Sequence, residues 1–371
     1  MLLQSSVTEG RDNSFNLLRM IAAGAVLISH AYPLSFGFGT LEPLEPALGM
    51  TLGTLAVLTF FAISGYFISL SFHNRRTFVH FATARALRIY PGLLCVLVLT
   101  ALVLGPAATK IGLARYLSDQ ETFLYIPRNL ALWPLQFGLP GVFLENPYPV
   151  AINGSLWTLV YEVLCYIMLA VVGLAGLTSN WRRYALFLAV YAFCYLESIP
   201  FIREDYPHIT ILRNLHLLSL PFVAGMTIFQ FRDRLQLRLP FVILLALVTA
   251  ISYGRPWFHE LFVVSWSYTI FYVGFLKCRL LFAYNRLGDY SYGMYIYAFP
   301  VEQIIASLYV KSTPVMMAAM SMPITIVLAI ASWHFVEERA LAQKGAVADW
   351  LARGINATYV RLSQQGQIGE H

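Results

Sequence analysis

The sequence predicts an all-α polytopic membrane protein of about ten transmembrane helices, with both termini in the cytoplasm and one long, partly re-entrant extracytoplasmic segment. Three observations predict it. Of 371 residues, 58% are apolar and 12% charged, roughly half the charge of an average soluble domain. Mean hydropathy is +0.64, and the apolar residues fall in blocks of about 20, the length that crosses a bilayer. Lys and Arg gather on alternate connections between those blocks. Such a chain is no soluble enzyme, and no stretch is left for a separate soluble domain, so its chemistry must sit within the membrane. The net charge is +6, but its basic residues are scattered between blocks rather than drawn into one stripe, which argues against nucleic-acid binding.

Residues 1–14 read as a cytoplasmic segment, 15–339 as the membrane domain and 340–371 as a cytoplasmic tail that starts as an amphipathic helix. The polar stretch before Phe15 lacks a charged n-region and a small-residue cleavage site, so the first apolar block stays as a helix. The blocks lie at 15–35, 48–72, 87–106, 155–177, 184–201, 211–231, 239–254, 258–276, 287–309 and 316–336. Connections after even-numbered blocks hold Arg75, Arg76, Arg85 and Arg88, then Arg182 and Arg183, then Arg232, Arg234 and Arg238, then Lys277, Arg279 and Arg286. With Arg11, Arg19, Arg339, Lys344, Arg353 and Arg361 near the termini, one side carries 18 of the 25 Lys and Arg residues. The positive-inside rule makes that side cytoplasmic. The long segment 107–154, with Trp133, Phe137, Phe143, Pro147 and Pro149, is too apolar for a freely solvated loop and is expected to cap a cavity. Cys95, Cys165, Cys194 and Cys278 show no CxxC spacing, which argues against a disulfide framework or a zinc site. No internal repeat is evident.

Ionisable groups inside spans are costly and mark function until another explanation appears. The first span holds Arg19 and His30, eleven residues apart, so the two project from nearly one face, about 16 Å apart along the axis. Taken singly, Arg19 reads as a snorkelling anchor and His30 as an interfacial histidine; their shared face points to function. In the second span, Ser64 followed by Gly65 suits close helix packing. Without a GxSxG context Ser64 is no nucleophile. Asn153-Gly154-Ser155 reads as an N-cap into the fourth span. Glu162 lies about two turns inside that span and needs a partner, expected to be a cation. Trp157, five residues before it, points elsewhere, as an interface-belt residue or a cavity wall. In the ninth span the run of tyrosines that includes Tyr292 and Tyr295 needs hydrogen-bond partners and so faces a polar interior. At the end of the last span, the Glu337-Glu338 pair is expected to meet an arginine from another loop.

These pieces, in this order, resemble the integral-membrane acyltransferase-3 family. The likeness rests on Arg19-x10-His30, on Phe60-Phe61-x-x-Ser64-Gly65-Tyr66-Phe67 and on Arg85-x-x-Arg88-Ile89-Tyr90-Pro91. It continues through Ser155-Leu156-Trp157-x-Leu159-x-x-Glu162 and Gly288-x-Tyr290-Ser291-Tyr292-x-x-Tyr295. The resemblance implies transfer of an acyl group, usually acetyl, from cytoplasmic acetyl-CoA to a sugar hydroxyl of an extracytoplasmic glycan, in a bacterial inner membrane. It implies no permanently bound cofactor and no metal. It makes His30, Arg19 and Glu162 the catalytic candidates, and Ser64, Arg85, Arg88, Trp157, Tyr292 and Tyr295 the candidates for binding donor or substrate. The sequence departs from the family at Ala298, where a histidine often stands. It shows no sign of the soluble hydrolase-like domain that some members append.

Acyl transfer to an alcohol needs a base, and a cation or dipole for the developing oxyanion. His30 supplies the base, acting either on the sugar directly or by accepting the acyl group first. The arginines at 75, 76, 85 and 88 either bind the polyanionic donor or serve topology alone. A transporter or flippase of a lipid-linked saccharide would use a similar intramembrane Arg, His and Glu set. The acceptor and its hydroxyl position are not legible.

Overall fold

The computed structural model describes residues 13–74, 77–149, 151–203, 210–276, 278, 282–309 and 311–355. The expected contributions of Arg11, Arg75, Arg76, Lys277, Arg279 and Arg361, and of the tail beyond residue 355, lie outside those residues.

Each expected apolar block falls on a helix: α1 Phe15–Phe36, α2 Leu52–Asn74, α3 Phe78–Leu99, α4 Trp157–Leu174 and α5 Trp181–Arg203, then α6 Thr210–Gln230, α7 Leu239–Ile251, α8 Phe258–Gly274, α9 Ser291–Leu308 and α10 Pro314–Ser332. Among the described residues, seven helical stretches are long and apolar enough to cross a membrane; α7, α8 and α9 are not among those seven. Large apolar side chains turned outward, such as Phe193 and Val327, each 65% exposed, suit lipid contact. The chain is a multi-pass membrane protein.

Helix α3 starts nine residues before the expected block. Thr77 caps it, its side chain accepting from the His80 amide, and the helix carries Arg85 and Arg88 within the bundle. A hydropathy reading stops at such charges, whereas the folded chain pairs Arg88 with Asp289 and Glu337. The helix runs on through a π-turn at Thr100–Leu104, and α10 likewise ends in a π-turn at Trp333–Glu337.

Helices α2 and α6 touch backbone to backbone. A Cβ built on Gly65 would lie 1.9 Å from the Phe222 carbonyl oxygen, and one on Gly225 would lie 2.1 Å from that of Ala62. The two glycines are reciprocal, as small residues in membrane helix interfaces are, and this is where the Ser64-Gly65 pair acts. Ser29 on α1 receives the Gly53 amide of α2 at 2.8 Å, which sets those two helices level. Helices α1, α9 and α10 close the bundle through Ala23, Leu27, Met294, Ala298 and Ala329.

Segment 107–154 contains short helices at Leu113–Ser118 and Gln120–Leu130 and is otherwise irregular. It is anchored rather than solvated. Asn129 holds Gln136 in both directions, Leu139, Val142, Phe143 and Ile152 join the main core, and Gln303 of α9 binds the carbonyls of Tyr148 and Ala151. None of its residues lines the large cavity described next; Leu139, Val142, Phe143 and Ile152 are spent on packing, whereas Phe123, Trp133 and Leu144 stay exposed. At the other end, helical residues 344–355 dock on α3 through Asp349 and His80, 3.0 Å apart.

Candidate active site

A cavity of about 890 Å³ opens where α1, α3 and α9 begin and α2 and α10 end, and this volume lies in the upper part of the roughly 300–1,000 Å³ range of small-molecule and cofactor sites. Its mouth holds Asn13, Asn16, Arg85, Asn285 and Arg286; farther in are Arg19, Ser64, Glu162, Tyr292 and Tyr295, and Val57 and Phe60 also line it.

Three charged groups on its wall, Arg19, Arg88 and Asp289, form one network with Glu337. Asp289 accepts from Arg88 at 2.6 Å and lies 3.6 Å from Arg19. Arg88 also reaches Glu337 at 3.5 Å, and its guanidinium sits over the rings of Tyr292 and Trp333, 5.7 Å from each. Glu337 takes a further bond from Ser332 at 2.8 Å, and Arg19 lies over Phe67. Asp289 also accepts from the Ser291 hydroxyl at 2.5 Å. Gly288 permits this placement: its φ of +137° suits glycine, and a Cβ there would lie 2.7 Å from the indole nitrogen of Trp333.

The expected arginine partner of the Glu337-Glu338 pair is therefore Arg88, and the partner of Arg19 is Asp289, which the sequence reading passed over among the tyrosines of the ninth span. One signal was available there: an acidic residue at the start of a span, on the side that carries two intramembrane arginines. Tyr166 and Trp333 were missed as well.

Of the other expected site residues, Ser64, Arg85, Tyr292 and Tyr295 line the cavity with Arg19, Arg88 and Glu162. Tyr292 donates to the Ile89 carbonyl at 2.8 Å, and Tyr295 shares a 2.7 Å hydrogen bond with Thr158. Glu162 accepts from the Tyr166 hydroxyl one turn on. Its described hydrogen-bond partner is thus a phenol rather than the expected cation. Trp157 does not line this cavity; its ring packs against Tyr161 with centroids 5.7 Å apart. Asn153 does cap the turn into α4, accepting from the Ser155 amide at 3.2 Å.

His30 lies beyond the cavity rather than in it. Ser29 is level with Gly53, and Val57, which lines the cavity, is one turn, about 6 Å, nearer the mouth. The His30 ring meets Phe299 edge-on at 5.2 Å, and its Nδ1 is buried with no hydrogen-bond partner among the described residues. Both oxygens of the fully buried Glu302 share that condition. No cluster of three or more His, Cys, Asp or Glu side chains able to hold a metal occurs among the described residues. The described cysteines are free thiols.

Residues 12–334 match the family described as an acyltransferase domain. Among curated proteins the chain is similar to the O-acetyl transferase of Shigella phage Sf6, 30% identical over 90% of this chain and 97% of that protein. It is also similar to Nodulation protein 10 of Rhizobium leguminosarum bv. viciae, 31% identical over 48% of this chain and 47% of that protein. No solved structure matches it.

Proposed function

The chain belongs to the acyltransferase-3 family and is an acyl-transferring enzyme, and from that premise we propose that it moves acetyl from cytoplasmic acetyl-CoA to a sugar hydroxyl of an extracytoplasmic or surface glycan. The reading places it in a bacterial cell membrane, with ten spans and both termini inside. Acetyl-CoA is a substrate, released as CoA, rather than a resident cofactor. The flippase alternative gives no account of the family membership.

One observation carries the proposal: a cavity of cofactor size opens at the arginine-rich end of the bundle and runs beside α1 from Arg19 towards the level of His30. Four arginines line it against three carboxylates, an excess that favours a polyanionic donor at the mouth. The donor's phosphates bind near Arg85 and Arg286, its acyl arm lies along the face shared by Ser64, Glu162 and Tyr295, and its thioester reaches the His30 level. Arg88, held between two carboxylates, orients Arg19 through Asp289 and leaves donor binding to the mouth. In the direct route, the His30 imidazole takes the proton of the sugar hydroxyl as that oxygen attacks the thioester carbonyl. The C–S bond then breaks, and the CoA thiolate leaves and takes a proton. In the covalent route the imidazole nitrogen carries the acetyl group between the two steps, and labelled acetyl-CoA alone would then label the protein.

The test is mass spectrometry of surface glycans from a deletion strain complemented with wild type or His30→Ala. An acetyl-sized increment that is missing in the deletion, restored by wild type and absent with His30→Ala supports the reading. Glycans identical in all three strains would remove it.

A further inference from the structure

Around His30, outside the large cavity, the α1–α2 connection and the long 107–154 segment meet. Phe38 stacks on Tyr148 with ring centroids 4.1 Å apart and planes inclined at 29°. Tyr148 meets Phe299 at 5.9 Å, and Phe299 meets His30 at 5.2 Å, so a continuous row of rings leads from the surface to the histidine. At its outer end Phe38 is 71% exposed, while Tyr148 is half-buried.

A carboxylate flanks this row. Glu42 accepts from the hydroxyl of Ser29, the neighbour of His30 in the chain, and its own amide is held by the Glu45 carboxylate at 3.0 Å. Burial raises the Glu42 carboxyl, and its charge is felt at the Tyr148 hydroxyl, which burial also raises. The scaffold is fixed from below. The Gln303 side chain donates to the Tyr148 carbonyl at 2.9 Å and accepts from Asn146 at 2.6 Å, and a Cβ on Gly37 would lie 3.2 Å from the Pro147 carbonyl oxygen.

A pyranose presents an apolar C–H face and a rim of hydroxyls. Its recognition calls for an exposed aromatic face beside hydrogen-bond acceptors fixed in place. A residue that only anchors the loop to the membrane interface has no use for a half-buried carboxylate at its side, and the neighbouring Phe36 and Leu41, 60% and 63% exposed, already give this loop an apolar outer face. We infer that Phe38, Tyr148 and Glu42 form the acceptor platform, which stacks a sugar ring on Phe38, binds one of its hydroxyls through Glu42 and directs another towards His30. The inference rests on the acyl-transfer reading and names the residues that select its acceptor.

The test uses the full chain in lipid nanodiscs, labelled acetyl-CoA, and as acceptor the unacetylated glycan fraction isolated from the deletion strain. Phe38→Leu keeps an apolar side chain and removes the ring; Glu42→Gln keeps a partner for Ser29 and removes the charge. Each should raise the half-saturating glycan concentration about three- to tenfold without moving that for acetyl-CoA, and Phe38→Tyr should behave as wild type. An unchanged glycan half-saturation in Phe38→Leu overturns the platform, as does a lower yield of inserted protein with normal glycan saturation, which would make Phe38 an anchor. A wild-type protein that transfers no label overturns the acyl-transfer reading and the platform with it.

Discussion

At one end of α1, Arg19 shares Asp289 with Arg88, and Arg88 in turn holds Glu337, which Ser332 also binds. Eleven residues further along the same helix, His30 leaves a buried ring nitrogen without a partner among the described residues, and Glu302 on α9 leaves both of its oxygens so. Burying a polar group unpaired costs free energy, so a fold shaped by stability alone would treat both ends alike. The paired end keeps α1, α3 and the facing ends of α9 and α10 in register around the cavity mouth. The unpaired end is where the proposed reaction at His30 would engage its substrates.

Substitutions at the two ends should therefore act in opposite ways. His30→Ala should lower acetyl transfer by at least about 10²-fold, the usual contribution of a general base, while the melting temperature in detergent stays within error of wild type. A matching loss of stability would make His30 structural and erase the contrast. Asp289→Asn should destabilise by about 3–5 kcal/mol, because it leaves two guanidiniums without their shared counter-charge; thermal unfolding followed by tryptophan fluorescence reads this directly.

At the unpaired end, Glu302→Leu should raise stability by about 1–3 kcal/mol, since it removes a buried carboxyl that nothing in the described structure satisfies. A melting temperature below that of wild type would reveal a partner for Glu302. The smallest effect is expected for Glu162→Gln. Because Glu162 bonds Tyr166 rather than His30, the acid limb of the pH–activity profile should stay in place; a shift of that limb would mean that the two ends communicate through α4.

What the sequence made legible was set by local periodicity. Hydropathy placed a helix under each expected block, the spacing of Arg19 and His30 put both along one helix, and Asn153 was readable as a cap because capping involves only residues two or three apart. Gly65 announced a close contact but not its partner, Gly225, which lies on another helix. Asp289 was overlooked for the same reason: its importance comes from Arg19 and Arg88, and only tertiary packing brings these three together. The pairing of Glu162 was misjudged because depth alone favours a cation, while its described hydrogen-bond partner is a phenol. The 107–154 segment has no period from which a fold could be read, and its packing depends on Gln303, which is far away in the chain.

The central claim is that donor and acceptor meet at His30 from opposite ends of the bundle. Proteoliposomes in which the uniformly oriented chain exposes its Arg19 end outward, with the unacetylated glycan enclosed in the lumen, test it directly. Labelled acetyl-CoA added outside should label the enclosed glycan with wild-type protein and leave it unlabelled with His30→Ala. Label on the enclosed glycan with His30→Ala at the wild-type rate, or label only when glycan and acetyl-CoA share one side, would contradict the account.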